Sequence, residues 1–132
     1  MDFLLMVILA TVIFFVIDII WLGVIAKELY NREMGSLLKE KVNWVAAIVF
    51  YLIFVVGMVF FAIAPAVDQE SLGLAFGYGG ALGLLCYATY DLTNLATMKN
   101  FPLKITIIDL IWGTSLGALT SGLTYIIFML FQ

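Results

Sequence analysis

The chain has no histidine, which removes the side chain most often used as a general base or metal ligand near neutral pH. Ser-His and Cys-His nucleophile pairs and histidine-ligated haem are excluded with it. Its single cysteine, Cys86, allows neither an intramolecular disulfide nor a cysteine metal site. Charge is scarce. Asp, Glu, Lys and Arg make up 11% of the 132 residues, against about 25% in an ordinary soluble domain. Proline occurs twice, at Pro65 and Pro102, and both stand where long apolar runs break. The net charge of −3 points to no nucleic-acid partner.

What is present is apolar. Hydrophobic residues make up 65% of the chain and the mean hydropathy is +1.18. Four stretches, at about 3–26, 44–64, 72–98 and 105–131, each reach the roughly 20 residues that a helix needs to cross a bilayer. In lipid the backbone is satisfied only by helices or closed barrels, and runs this continuous lack the alternation of a barrel strand. The sequence therefore predicts an all-α, polytopic membrane protein with four transmembrane helices in one domain spanning residues 1–132, and the lipid bilayer is its first partner. The first stretch has no basic segment ahead of it and no small-residue cleavage site, so it reads as a retained helix rather than a signal peptide. The second is almost uniformly apolar, which predicts a lipid-facing helix that ends at Pro65.

The one sizeable hydrophilic stretch is KELYNREMGSLLKEKVN at 27–43. Its Tyr30, Met34, Leu37 and Leu38 fall on one helical face, which predicts a short amphipathic cytoplasmic loop helix in the membrane interface; Gly35 speaks for a plain loop. The basic residues set the orientation. Lys27, Arg32, Lys39 and Lys41 lie between the first and second spans, and Lys99 and Lys104 between the third and fourth. With all six on one side, the positive-inside rule predicts an N-out/C-out topology.

Against this background three aspartates stand out. An aspartate at membrane depth costs about 2.5–3.5 kcal/mol on insertion scales, so it ordinarily has a partner or a task. Asp18 precedes Lys27 by nine residues, Asp91 precedes Lys99 by eight, and Asp109 follows Lys104 by five. At about 1.5 Å per residue all three lie some ~8–14 Å inside the same boundary, on three different helices. Asp18 and Asp109 sit in near-identical settings, IDIIW and IDLIW. Each carries a tryptophan three residues on, Trp21 and Trp112, on the same helical face. Interfacial anchoring is the ordinary role of a tryptophan, and it suits Trp44 and Trp21 better than the deeper Trp112. Tyr87, Tyr90 and Asn94 surround Asp91 and can hydrogen-bond a carboxyl in either protonation state. The candidate ligand- or proton-binding residues are thus Asp18, Asp91, Asp109, Tyr87, Tyr90, Asn94, Trp21 and Trp112. The competing reading is a polar network that only fixes helix packing.

Small residues supply the packing surface. On the third span Gly73, Gly77, Gly80, Leu84, Tyr87, Asp91, Asn94 and Met98 alternate at spacings of four and three, predicting a seam that is glycine-rich at one end and polar at the other. On the fourth, Thr106, Asp109, Gly113, Gly117, Thr120 and Thr124 make a matching stripe. Such stripes let helix backbones approach closely, either within one chain or in a homodimer.

The run CYATYDLTNLATMKNFPLKITIIDLIWG, with IDIIWLG in the first helix, resembles a family of small bacterial membrane proteins known as domain of unknown function 2177, over essentially the whole chain. The resemblance implies a multi-pass protein of the cell inner membrane and no particular activity. From the residues, three functions compete. Crowded carboxylates in low dielectric suit a small cation- or proton-coupled transporter or permease. The aromatic content, 15%, suits a protein that binds a lipid or small apolar ligand with one polar end. Least favoured is an enzyme, working through an aspartate pair or through a hard divalent ion such as Mg²⁺ held by the aspartates and Asn94. No metal ligation or cofactor is indicated otherwise, and no lysine lies in the membrane core to form a Schiff base.

Overall fold

The computed structural model describes residues 2–34 and 43–132, and among these every regular element is helical. In chain order they are α1 (Asp2–Ile20), a π-helical turn (Trp21–Ile25), α2 (Lys27–Met34), α3 (Trp44–Met58), a second π-helical turn (Val59–Ile63), α4 (Ala64–Asp68), α5 (Leu72–Thr97) and α6 (Leu103–Leu130). Four continuous helical spans are long and apolar enough to cross a membrane: Asp2–Val24, Trp44–Asp68, Leu72–Thr97 and Leu103–Leu130.

The second span corrects one expectation, because it runs through Pro65 to Asp68 instead of stopping there. Proline lacks an N–H and crowds the carbonyl four residues earlier, which ordinarily breaks a helix. Here the wider turn at Val59–Ile63 comes just before Pro65 and relaxes the ladder where its bond would be lost. In the turn that follows, Glu70 has a positive φ of 50°, where the chain reverses. Ser71 then caps α5, its Oγ accepting from the Leu74 N–H at 3.2 Å. Asn43 caps α3 in the same way, accepting from the Ala46 N–H at 3.1 Å. In the turn before α6, Asn100 takes the left-handed conformation, φ 62°, which asparagine tolerates better than most residues.

Packing follows steps of four. On α5 the wall is Ala75, Gly79, Gly83, Tyr87 and Asp91, and on α6 it is Asp109, Gly113, Gly117 and Ser121. The two glycine pairs interlock: a Cβ on Gly83 would lie 2.0 Å from the Gly113 carbonyl oxygen, and one on Gly117 2.1 Å from that of Gly79. The stripe expected on α6 is the observed one. That on α5 lies one face over, since Gly77 has nothing near it, Gly73 meets only the Ser71 hydroxyl of its own N-cap, and Leu84 and Met98 are exposed. In α1 the buried residues are Met6, Ala10, Phe14 and Asp18, again in steps of four. The aspartates are buried because each stands on the bundle-facing ridge of its helix.

α1 packs on α6 and α3, and α5 on α6. The second span meets α5 through the π turn and α4, at the end away from the lysines, whereas α3 itself does not pack along α5. Phe14, Phe54, Met58, Ile63, Leu116 and Phe128 fill the closed half. Toward the other end α3 and α5 part. There α2 folds against the beginning of α6, with Leu29 and Tyr30 on Phe101 and Ile105. Glu33 lies 3.7 Å from the Lys104 ammonium. The amphipathic helix expected over 27–43 is seen as α2; Leu37 and Leu38, assigned to the same face, lie outside the described residues.

Candidate functional site

The space left where α3 and α5 part is a cavity of about 700 Å³. Asp18, Trp21 and Leu22 come from the first span, Lys27, Tyr30 and Asn31 from α2, and Ala47, Phe50 and Tyr51 from α3. α5 adds Cys86, Tyr87, Tyr90 and Asp91, and α6 adds Asp109 and Trp112. All three aspartates expected to share a layer therefore line one space. Trp21 and Trp112 are stacked, ring centres 4.3 Å apart and planes 10° from parallel. That pairing is the reason both indoles lie inside rather than in the interface.

The carboxyls differ in what holds them. Asp18 accepts from the Tyr51 hydroxyl at 3.1 Å. Asp109 accepts from the Tyr30 hydroxyl. Burial first, and Asp109 second, push the Tyr30 phenol above its ordinary range, so it keeps its proton and remains the donor. Asp91 is fully buried, and among the described residues neither of its oxygens has a hydrogen-bond donor. The register that sets Gly83 and Tyr87 against Gly113 brings Asp91, one turn beyond Tyr87, to the level of Asp109, one turn before Gly113, and both carboxyls line the cavity. The indole N–H groups of Trp21 and Trp112 are also buried, with no hydrogen-bond partner among the described residues. Buried polar atoms are ordinarily paired, and four such atoms around one cavity amount to an unfilled set of acceptors and donors.

Asn94 is the expected site residue that the structure leaves out: it does not line the cavity and sits one turn beyond Tyr90. The three aspartates also fail to gather as a metal site; among the described residues no three such side chains come together at ligand spacing. Two important groups were not anticipated. Tyr51 was absorbed into a span read as almost uniformly apolar and lipid-facing over much of its surface, yet it is the one hydroxyl-bearing residue between Trp44 and Ala64. Tyr30 was placed on the apolar face of a surface helix, where the same face meets Asp109.

A family model described as "Predicted membrane protein (DUF2177)" matches residues 3–126. No curated protein and no solved structure matches the chain.

Proposed function

The chain belongs to the DUF2177 family of predicted membrane proteins, and from that footing we propose that it binds a small hydrophobic cation, such as an amine-bearing amphiphile, in the cavity between α3 and α5. The observation that carries this reading is Asp91: a buried carboxyl without a donor, set in a cavity walled by Tyr30, Tyr51, Tyr87, Tyr90, Trp21 and Trp112. Aromatic faces attract cations, by up to about 2 kcal/mol or more once desolvated. Among the described residues the cavity wall carries three carboxyls and one ammonium, that of Lys27, which gives it the complementary sign. The apolar wall and the gap between α3 and α5 favour a ligand that arrives from the bilayer.

Binding is better supported than conduction, because Phe14, Met58, Leu116 and Phe128 close the other half of the bundle. Release to one side would convert the same site into half of a transport cycle. Catalysis draws the least support, since the carboxyls do not surround a metal position. The cavity lies at the end that holds Lys27, Arg32, Lys99 and Lys104, and the positive-inside rule assigns that end to the cytoplasm.

The stacked tryptophans make the test direct. Tetraphenylphosphonium added to the detergent-solubilised protein is expected to quench Trp21 and Trp112 saturably. Asp91→Asn should weaken its binding at least tenfold, as loss of about 1.4 kcal/mol or more would. Equal affinity in wild type and variant would refute the assignment.

A further inference from the structure

We propose that Asp91 and Asp109 hold one proton between them and that a bound cation takes its place, so that each binding event releases one proton to solvent. The inference deepens the binding reading above and rests on it.

The geometry has three parts. The two carboxyls come from adjacent helices whose backbones are in close contact at Gly79 and Gly83 against Gly113 and Gly117, and both line the one cavity. Among the described residues Asp91 has no hydrogen-bond donor and no ion-pair partner. Asp109 accepts from Tyr30, one donor for two oxygens. If both carboxyls were ionised, two like charges would face each other with a single hydrogen bond to share. One proton on the pair turns that repulsion into a charge-assisted O–H···O⁻ bond, the strong kind, and gives Asp91 its missing partner. Carboxyl pairs held this close share a proton for that reason.

The surrounding charges leave this pair as the exchangeable one. α1 contributes Asp18, which Tyr51 of α3 already satisfies. α2 contributes Lys27 and Tyr30 to the cavity wall, while its Glu33, off that wall, lies between Arg32 and Lys104 of α6. α5 itself contributes the Cys86 thiol and two phenols, Tyr87 and Tyr90, besides Asp91. A monovalent cation against the pair does what the proton did. The cation enters, the proton leaves the O–H bond for bulk water, and the charge inside the cavity is unchanged.

The experiment is calorimetric titration of tetraphenylphosphonium into the full-length protein in detergent, in two buffers of different protonation enthalpy, from pH 6 to 9. The expected result is one proton released per cation bound, with affinity rising up to tenfold per pH unit across the range in which the pair holds its proton. Asp91→Asn and Asp109→Asn should each retain residual binding that releases no proton and is independent of pH, while Asp68→Asn, at the opposite end of the bundle, should behave as wild type. Wild-type binding without proton release would overturn the exchange and leave the binding site standing. Proton release undiminished in both Asn variants would place the proton elsewhere and overturn it too. No binding at any pH would remove the site itself, and the exchange with it.

Discussion

Asp91 and Asp18 are the same residue type at the same depth, and their partners make them opposites. Asp18 has the Tyr51 hydroxyl at 3.1 Å, whereas Asp91 has no hydrogen-bond partner among the described residues and shares its level of the cavity with the Asp109 carboxyl. Removing a donor strands a buried acceptor, at about 1–3 kcal/mol, so Tyr51→Phe should lower stability in detergent by that amount through Asp18. Asp91→Asn should do the reverse. The amide N–H donates to Asp109 without needing a shared proton, so the variant should be at least as stable as wild type. Its advantage should grow as pH rises and the wild-type pair loses its proton. Thermal unfolding followed by circular dichroism at several pH values checks both; an Asn variant less stable than wild type throughout would make the pair structural. Functional sites often retain groups that lower stability. At this scale the aspartates were legible because charge is so rare in the spans. Tyr51 and Tyr30 were not, because a phenol reads as one more aromatic until the residue across from it is known.

Among the helices, the α5–α6 pair sets the width of the cavity. Its backbones touch at Gly83 against Gly113 and Gly79 against Gly117, where an added Cβ would lie 2.0–2.4 Å from a carbonyl oxygen. Gly117→Ala must push the helices apart, and overpacking of this kind costs about 1–3 kcal/mol or more. Gly77, one face away, has open space around it. Gly77→Ala should be neutral, or stabilising by up to about 1 kcal/mol through helix propensity. Denaturation of the two variants side by side gives the contrast, and equal effects would mean that the seam is placed on the wrong face. The sequence offered glycines on several faces of α5, so composition showed that a close seam exists without showing where. The partner decides it: only Gly79 and Gly83 keep the four-residue step that meets Gly113 and Gly117. The π turn before Pro65 was equally illegible, since proline marks a lost hydrogen bond and leaves open whether the helix stops or widens.

For the whole molecule the decisive feature is asymmetry along the bundle, one half filled by Phe14, Leu116 and Phe128 and the other hollow. Four helical spans were readable from hydropathy alone, because lipid allows few alternatives. The blind end was not, because it depends on which large side chains meet between helices. The chain carries its own probe of this asymmetry. Cys86, the only cysteine, is half-buried and lines the cavity. A charged, membrane-impermeant maleimide can reach it through the mouth beside Lys27 and Asn31 and is stopped from the opposite side by the apolar core. In sealed vesicles the reagent should label Cys86 only when the face bearing the lysines is outermost, and tetraphenylphosphonium should slow that labelling. If the positive-inside rule holds here, inverted vesicles react and right-side-out vesicles do not. Labelling from the opposite face alone would reverse the assigned orientation. Equal labelling from both faces would mean that the core opens, and the cavity would then belong to a conduction path rather than to a binding site closed at one end.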